Sequence, residues 1–173
     1  MIRLIAALGN PGTAYRRTRH NIGWMVLDHL PEAAHASWKQ KFNSLTASLP
    51  GEGVILLKPR TYMNKSGISV AAALTYYSLT PDQLAVIHDD TELSFGEAVT
   101  RFSGGLKGHQ GLRSIAQEVG SQEFYHIAMG IGRSQRKPLS SHVLGRFSPL
   151  EEAQLEDVLD RGVTLLRDLL AQS

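Results

Sequence analysis

The feature that most restricts this chain is an alternation of short apolar runs with segments of helical periodicity, because strands followed by helices build layered sheets rather than bundles or barrels. Ile2 to Leu8 is apolar except for Arg3, the pattern of a strand buried on both faces, and Gly9-Asn10-Pro11-Gly12 turns the chain directly after it. The spacing of Ile22, Met25, Val26 and Leu30 predicts a helix over 21–30. Val54 to Leu57 reads as a second strand, and Ser66 as the cap of a helix running to Leu79. Thr80-Pro81-Asp82-Gln83 has the spacing of a single capped turn before a strand from Leu84 to His88. Ser103 to Gly108 is a flexible stretch feeding a helix faced by Leu112, Ile115, Ala116 and Val119 and closed by Gly120. A strand is expected from Tyr125 to Ile131. After the capping box Ser148-Pro149-Leu150-Glu151, a long helix carries the stripe Leu155, Val158, Leu159, Val163 and Leu166. The expected fold is a three-layer α/β/α sandwich with a twisted, mostly parallel, mixed sheet, formed by residues 1–173 as one domain. In such sheets ligands bind outside the carboxyl ends of the strands.

Length and composition agree with one domain: 173 residues with 42% hydrophobic side chains can bury a substantial core, and no repeat or linker interrupts them. There is no cysteine, so disulfides and thiolate metal sites are excluded, and any metal would need His and carboxylate ligands. The apolar run at the N-terminus is too short for a signal peptide or a membrane span, which predicts a soluble, cytoplasmic protein. A net charge of +2 does not by itself announce a nucleic-acid binder, but its distribution is uneven. Residues 1–147 hold 16 Lys+Arg against 10 Asp+Glu, whereas residues 148–173 hold 2 against 6, so the body is basic and the tail acidic.

The polar residues that could do chemistry gather at the predicted strand ends. Asn10 follows the first strand, Asn64 lies in the turn after Lys58 to Met63, Asp89 follows Leu84 to His88, and His20 lies just before the first helix. A His beside an Asp is the minimal apparatus for general-base hydrolysis: the carboxylate fixes the tautomer and one ring nitrogen takes a proton from water. Asn side chains supply donors for an oxyanion without bringing charge. Spacing alone leaves alternatives open: Asn10 is also a turn former, and His88-Asp89-Asp90 could be a fragment of a metal site, although it lacks a spaced His partner. The glycines at 105, 108 and 111 fit neither the dinucleotide fingerprint nor the phosphate-binding loop.

Several motifs in order then carry a resemblance. Gly9-Asn10-Pro11-Gly12, Tyr15, Thr18-Arg19-His20-Asn21-Ile22-Gly23, Lys58-Pro59 through Tyr62-Met63-Asn64-Lys65-Ser66-Gly67, His88-Asp89-Asp90, Gly108-His109-Gln110-Gly111-Leu112, Gly130-Ile131-Gly132 and Val143-Leu144-Gly145 span nearly the whole chain. Together they resemble the bacterial-type peptidyl-tRNA hydrolases. The resemblance implies hydrolysis of the ester between a peptide and the 3′ end of tRNA, with no metal, no organic cofactor and no covalent intermediate. It also implies tRNA as the partner, a monomer, and neither an obligate protein partner nor a membrane. It assigns His20 as the base that activates water, Asp89 as the group that orients it, and Asn10 and Asn64 as residues that position water, peptide and ester. Tyr15, Tyr62, Met63 and His109 line the cleft in this reading.

The sequence departs from the family pattern at two places. Gln110 stands where Asn is usual, carrying the same amide about one methylene further. His126 and Ala128 stand where two basic residues are usual, the second of which helps clamp the terminal phosphate of the tRNA. Arg101 supplies the other half of that clamp, and Lys107 is the candidate to compensate. Two other function classes compete: an RNA-binding relative without turnover, and an esterase or amidase for small molecules.

Overall fold

The computed structural model describes residues 1–172 and contains one seven-stranded mixed sheet in the order β2-β3-β4-β1-β5-β7-β6. The strands are β1 (Leu4–Ala7), β2 (Lys39–Lys41), β3 (Ser44–Leu49), β4 (Val54–Pro59), β5 (Leu84–Asp90), β6 (Ala98–Phe102) and β7 (Tyr125–Gly130). β4, β1, β5 and β7 run parallel, while β2, β3 and β6 are antiparallel to their neighbours. The helices are α1 (Ile22–His29), α2 (Pro31–Ala34), α3 (Ser66–Tyr76), α4 (Gln110–Val119), α5 (Leu139–Val143) and α6 (Pro149–Ala171).

Because side chains alternate across a strand, each central strand feeds two cores. Ile5, Ala7, Ile87 and Met129 pack with α1 and α6, through Val26, Val158 and Leu166. Leu4, Ala6, Leu8 and Val86 pack with α3 and α4, through Val70, Leu112 and Ile115. This is the expected three-layer arrangement. The two helix layers close tightly because Gly67 lets α3 touch α4: a Cβ there would lie 2.1 Å from the Ser114 carbonyl oxygen. Gly23 does the same for α1, where a Cβ would lie 2.5 Å from the Ile87 carbonyl oxygen.

Several elements were not expected from the sequence. β2 and β3 form a hairpin through Phe42 and Asn43, both at positive φ (58° and 52°), with no glycine to mark it. β2 is Lys-Gln-Lys and fully exposed, so it has no apolar pattern to read. β6 is an edge strand of mixed burial, and α2 and α5 are too short for periodicity. The first strand is shorter than its apolar run, the second extends to Pro59, and α3 stops at Tyr76 rather than Leu79. α6 and its capping box match expectation: the Ser148 amide donates to Glu151 Oε1, and the Glu151 amide to Ser148 Oγ. No helix among the described residues is long and apolar enough to cross a membrane.

Candidate active site

A cleft of about 510 Å³ opens at the carboxyl ends of β1 and β5. Asn10, His20, Tyr62, Met63, Asn64, Asp89, Lys107, His109 and Gln110 all reach it, so the sequence-predicted residues from five separate segments converge. Tyr15 and Arg101 stand one layer back. The Tyr15 ring meets Tyr62 edge-on at 6.3 Å, and Arg101 donates to Asp90 Oδ2 at 2.8 Å.

Asp89, the penultimate residue of β5, is fully buried and is held from two sides. His20 Nδ1 lies 2.7 Å from Oδ2, and His109 Nε2 lies 2.7 Å from Oδ1. His109 is also the N-cap of α4, its Nδ1 accepting the backbone amides of Gly111 and Leu112 at 3.1 and 3.2 Å. With Nδ1 an acceptor, the proton of neutral His109 sits on Nε2 and is donated to Asp89. Against the burial that opposes ionisation, the imidazoles of His20 and His109, by charge and hydrogen bond, hold the Asp89 carboxyl far below the usual range. Burial also disfavours the charged form of His20, but the charge and hydrogen bond of Asp89 outweigh it and raise the His20 pKa above its ordinary value. Its second nitrogen, Nε2, has no partner among the described residues.

His20 is positioned from behind. Arg19 donates to Glu151 Oε1 at 2.8 Å, so the capping carboxylate of α6 also anchors the turn Arg19–Asn21. The Arg19 amide donates to the Gly145 carbonyl at 2.9 Å. This places α6 on the α1 face with its N-terminus braced behind His20.

Asn10 is fixed in a reciprocal pair with Asn21: its amide donates to Asn21 Oδ1, and Asn21 Nδ2 donates to its carbonyl, both at 2.9 Å. Its side-chain Oδ1 accepts the Met63 amide at 2.7 Å. That bond identifies the oxygen, so Nδ2 is the donor left for the cleft. Asn64 sits, as expected, in a turn, the 3-10 turn Met63–Lys65, and is exposed at the cleft with no side-chain bond among the described residues. Tyr62, which leads into that turn, holds φ 66° and ψ 155°, a sparsely populated conformation for a non-glycine residue.

Two features were missed from sequence. The first is Asp90, on whose Oδ2 both Arg101 (2.8 Å) and Lys107 (3.8 Å) converge. Burial would raise the Asp90 pKa, yet the Arg101 hydrogen bond and the other nearby donors and charges lower it. The second is a buried imidazole pair. His88 Nδ1 donates to the Asp89 carbonyl at 2.8 Å, so its Nε2 accepts from His126 Nδ1 at 3.1 Å, and His126 Nε2 is left buried without a partner. Burial and the neighbouring imidazoles depress His88 to about 3. Burial, Arg101 and His109 depress His126 to about 4. His126 is therefore neutral, and together with the fully buried Ala128 it presents no cation to solvent.

His20, Asp89 and His109 bring ligand-type atoms within 4.8 Å of one another. Their hydrogens are already committed, however. A cation bound by His109 Nε2 would have to displace its proton and break the N-cap of α4, since a metal needs an unprotonated ring nitrogen. The donor set is better matched to the two N–H···O bonds it makes.

Residues 4–173 match the family model described as peptidyl-tRNA hydrolase. The peptidyl-tRNA hydrolase of Geotalea uraniireducens is 45% identical over 174 residues, covering 99% of this chain and 91% of that protein. That of Geobacter metallireducens is 46% identical over 171 residues, covering 97% and 88%. A crystal structure of peptidyl-tRNA hydrolase from Acinetobacter baumannii superposes with a TM-score of 0.90 at 32% identity, covering 98% of this chain and 89% of that one.

Proposed function

Since the chain belongs to the peptidyl-tRNA hydrolase family, we propose that it hydrolyses peptidyl-tRNA with a water molecule activated by His20 and oriented through Asp89, without a covalent intermediate. The observation that carries this is the arrangement of Asp89. Both of its oxygens are taken by imidazole N–H groups, which leaves His20 Nε2 as the one basic nitrogen of the trio free to accept a proton.

In this mechanism His20 Nε2 removes a proton from water as the oxygen attacks the ester carbonyl. Asp89 stabilises the imidazolium that forms, and its ionised state is secured by the two imidazoles. The tetrahedral oxyanion receives hydrogen bonds from Asn10 Nδ2 and the Asn64 amide, which carry no charge of their own. Collapse breaks the bond to the ribose oxygen, and the imidazolium returns its proton to that oxygen. Met63 contributes by fixing Asn10, His109 by fixing Asp89, and Tyr15 by supporting the Tyr62 ring. Gln110, exposed at the first position of α4, reaches the substrate with its amide. Arg101 and Lys107 take the terminal phosphate of the tRNA, which competes with Asp90 for them.

The reading is tested with a purified peptidyl-tRNA and an N-blocked small-molecule amino-acid ester. Release of free tRNA and peptide, with the solvent oxygen entering the peptide carboxylate, is expected. Cleavage of the small ester with no preference for the tRNA substrate would contradict it.

A further inference from the structure

A second groove, of about 890 Å³, begins next to the cleft and shares Tyr62 with it. Its near end is Pro11 and Gly12, the turn that carries Asn10. Its charged lining is Lys41, Arg60 and Lys65, with no carboxylate. None of these three makes an ion pair among the described residues. Lys41 is held in place by its hairpin and by the Tyr76 ring, whose centroid lies 3.5 Å from Nζ. On the other flank of the sheet, by contrast, Arg101 and Lys107 already face Asp90. The groove is thus the larger uncompensated positive surface beside the reacting centre.

We propose that this groove binds the phosphodiester backbone of the single-stranded 3′ end of the substrate RNA, next to the ester held at His20; this rests on the reading above. Three fixed cations suit a partner whose charge is the same in every substrate molecule, which is true of the RNA strand and not of the peptide. The exposed Tyr62 ring at the junction, buttressed by Tyr15, offers a face on which a base can stack. The peptide has a different wall available, since Leu106, Leu139, Val143 and Leu144 line the cleft.

The test is the double variant Arg60→Ala/Lys65→Ala, read by steady-state kinetics on peptidyl-tRNA and on a peptidyl-adenosine ester without phosphodiesters. For peptidyl-tRNA, KM should rise about tenfold with kcat within about twofold. The slope of log affinity against log salt should flatten by about 1.4, at about 0.7 for each single-strand phosphate that is no longer neutralised. The adenosine ester should be cleaved alike by both proteins, and a short single-stranded RNA ending in the tRNA 3′ sequence should inhibit the wild type far better than the variant. If instead the KM effect follows the charge of the peptide and vanishes for a neutral one, the groove holds peptide and the proposal is wrong. Unchanged KM and slope would equally overturn it. Should the wild type fail to cleave peptidyl-tRNA at all, it is the functional reading that fails; cleavage without a groove effect removes the groove alone.

Discussion

His109 Nε2 meets Asp89 Oδ1 at 2.7 Å, the same distance at which His20 Nδ1 meets Oδ2, so the carboxylate that orients the proposed base is itself oriented by a second imidazole. Hydrogen bonds to a charged group are worth about 1.5–3 kcal/mol, and each 1.36 kcal/mol is tenfold in rate. His109→Ala should therefore lower kcat by about ten- to a hundredfold. Losing one donor also concentrates charge on the oxygens, so the acidic limb of the pH profile should move upward. A variant with wild-type kcat and an unmoved limb would reduce His109 to a cap for α4.

The pH dependence of kcat/KM has a definite sign. In the proposed mechanism the neutral imidazole of His20 is the active form; its pKa is raised, so activity should fall as pH drops through a value above 6.5, the ordinary histidine value. In Asp89→Asn the raising influence is lost while burial remains. The residual activity should then titrate below 6.5, measurable by pH-rate profiles of the two proteins. A limb unchanged by the substitution would detach Asp89 from His20.

Acid should destabilise the fold through the buried pair His88 and His126. Both are depressed, to about 3 and about 4, so the unfolded chain binds more protons than the folded one between those values and about 6.5. Stability is fully present above 6.5 and declines as pH falls through this window, by about 1.4 kcal/mol per unit of difference for each group. His126→Phe, which keeps a ring to stack on Phe124, should flatten this decline in chemical denaturation measured at several pH values. An equal decline in the variant would place the acid sensitivity elsewhere.

Prolonged chelation should leave turnover unchanged, because His109 Nε2 and His20 Nδ1 spend their protons on Asp89, which leaves His20 Nε2 as a single free ring nitrogen rather than a convergent set of ligands. Loss of activity restored by added zinc or manganese would overturn the hydrogen-bonded arrangement of the trio.

The sequence made legible what periodicity and strand ends can encode. The helix 149–171, its capping box and the buried stripe of α4 were readable because each has a local signal. His20, Asp89, Asn10 and Asn64 could be singled out because turns after apolar runs place polar groups at one sheet edge. What stayed hidden depends on tertiary contacts. His109 acting as an N-cap has no signature, since histidine is not a usual capping residue. Convergence of Arg101 and Lys107 on Asp90 requires knowing that β6 lies at the edge beside β7. Lys41 joins Arg60 and Lys65 in the basic groove only through β2 and a hairpin whose turn residues, Phe42 and Asn43, carry no glycine, so the groove as a whole has no local signal.

The proposed role of His20 as the base that activates water is open to the most direct measurement. A positioned general base contributes typically 10²–10⁴-fold, so single-turnover hydrolysis of peptidyl-tRNA by His20→Ala should be slower by about a thousandfold. Binding of uncleaved substrate and the thermal midpoint should change little, since the His20 side chain reaches the cleft rather than filling the core. A rate within about threefold of the wild type, in a folded protein that still binds peptidyl-tRNA, would contradict the mechanism.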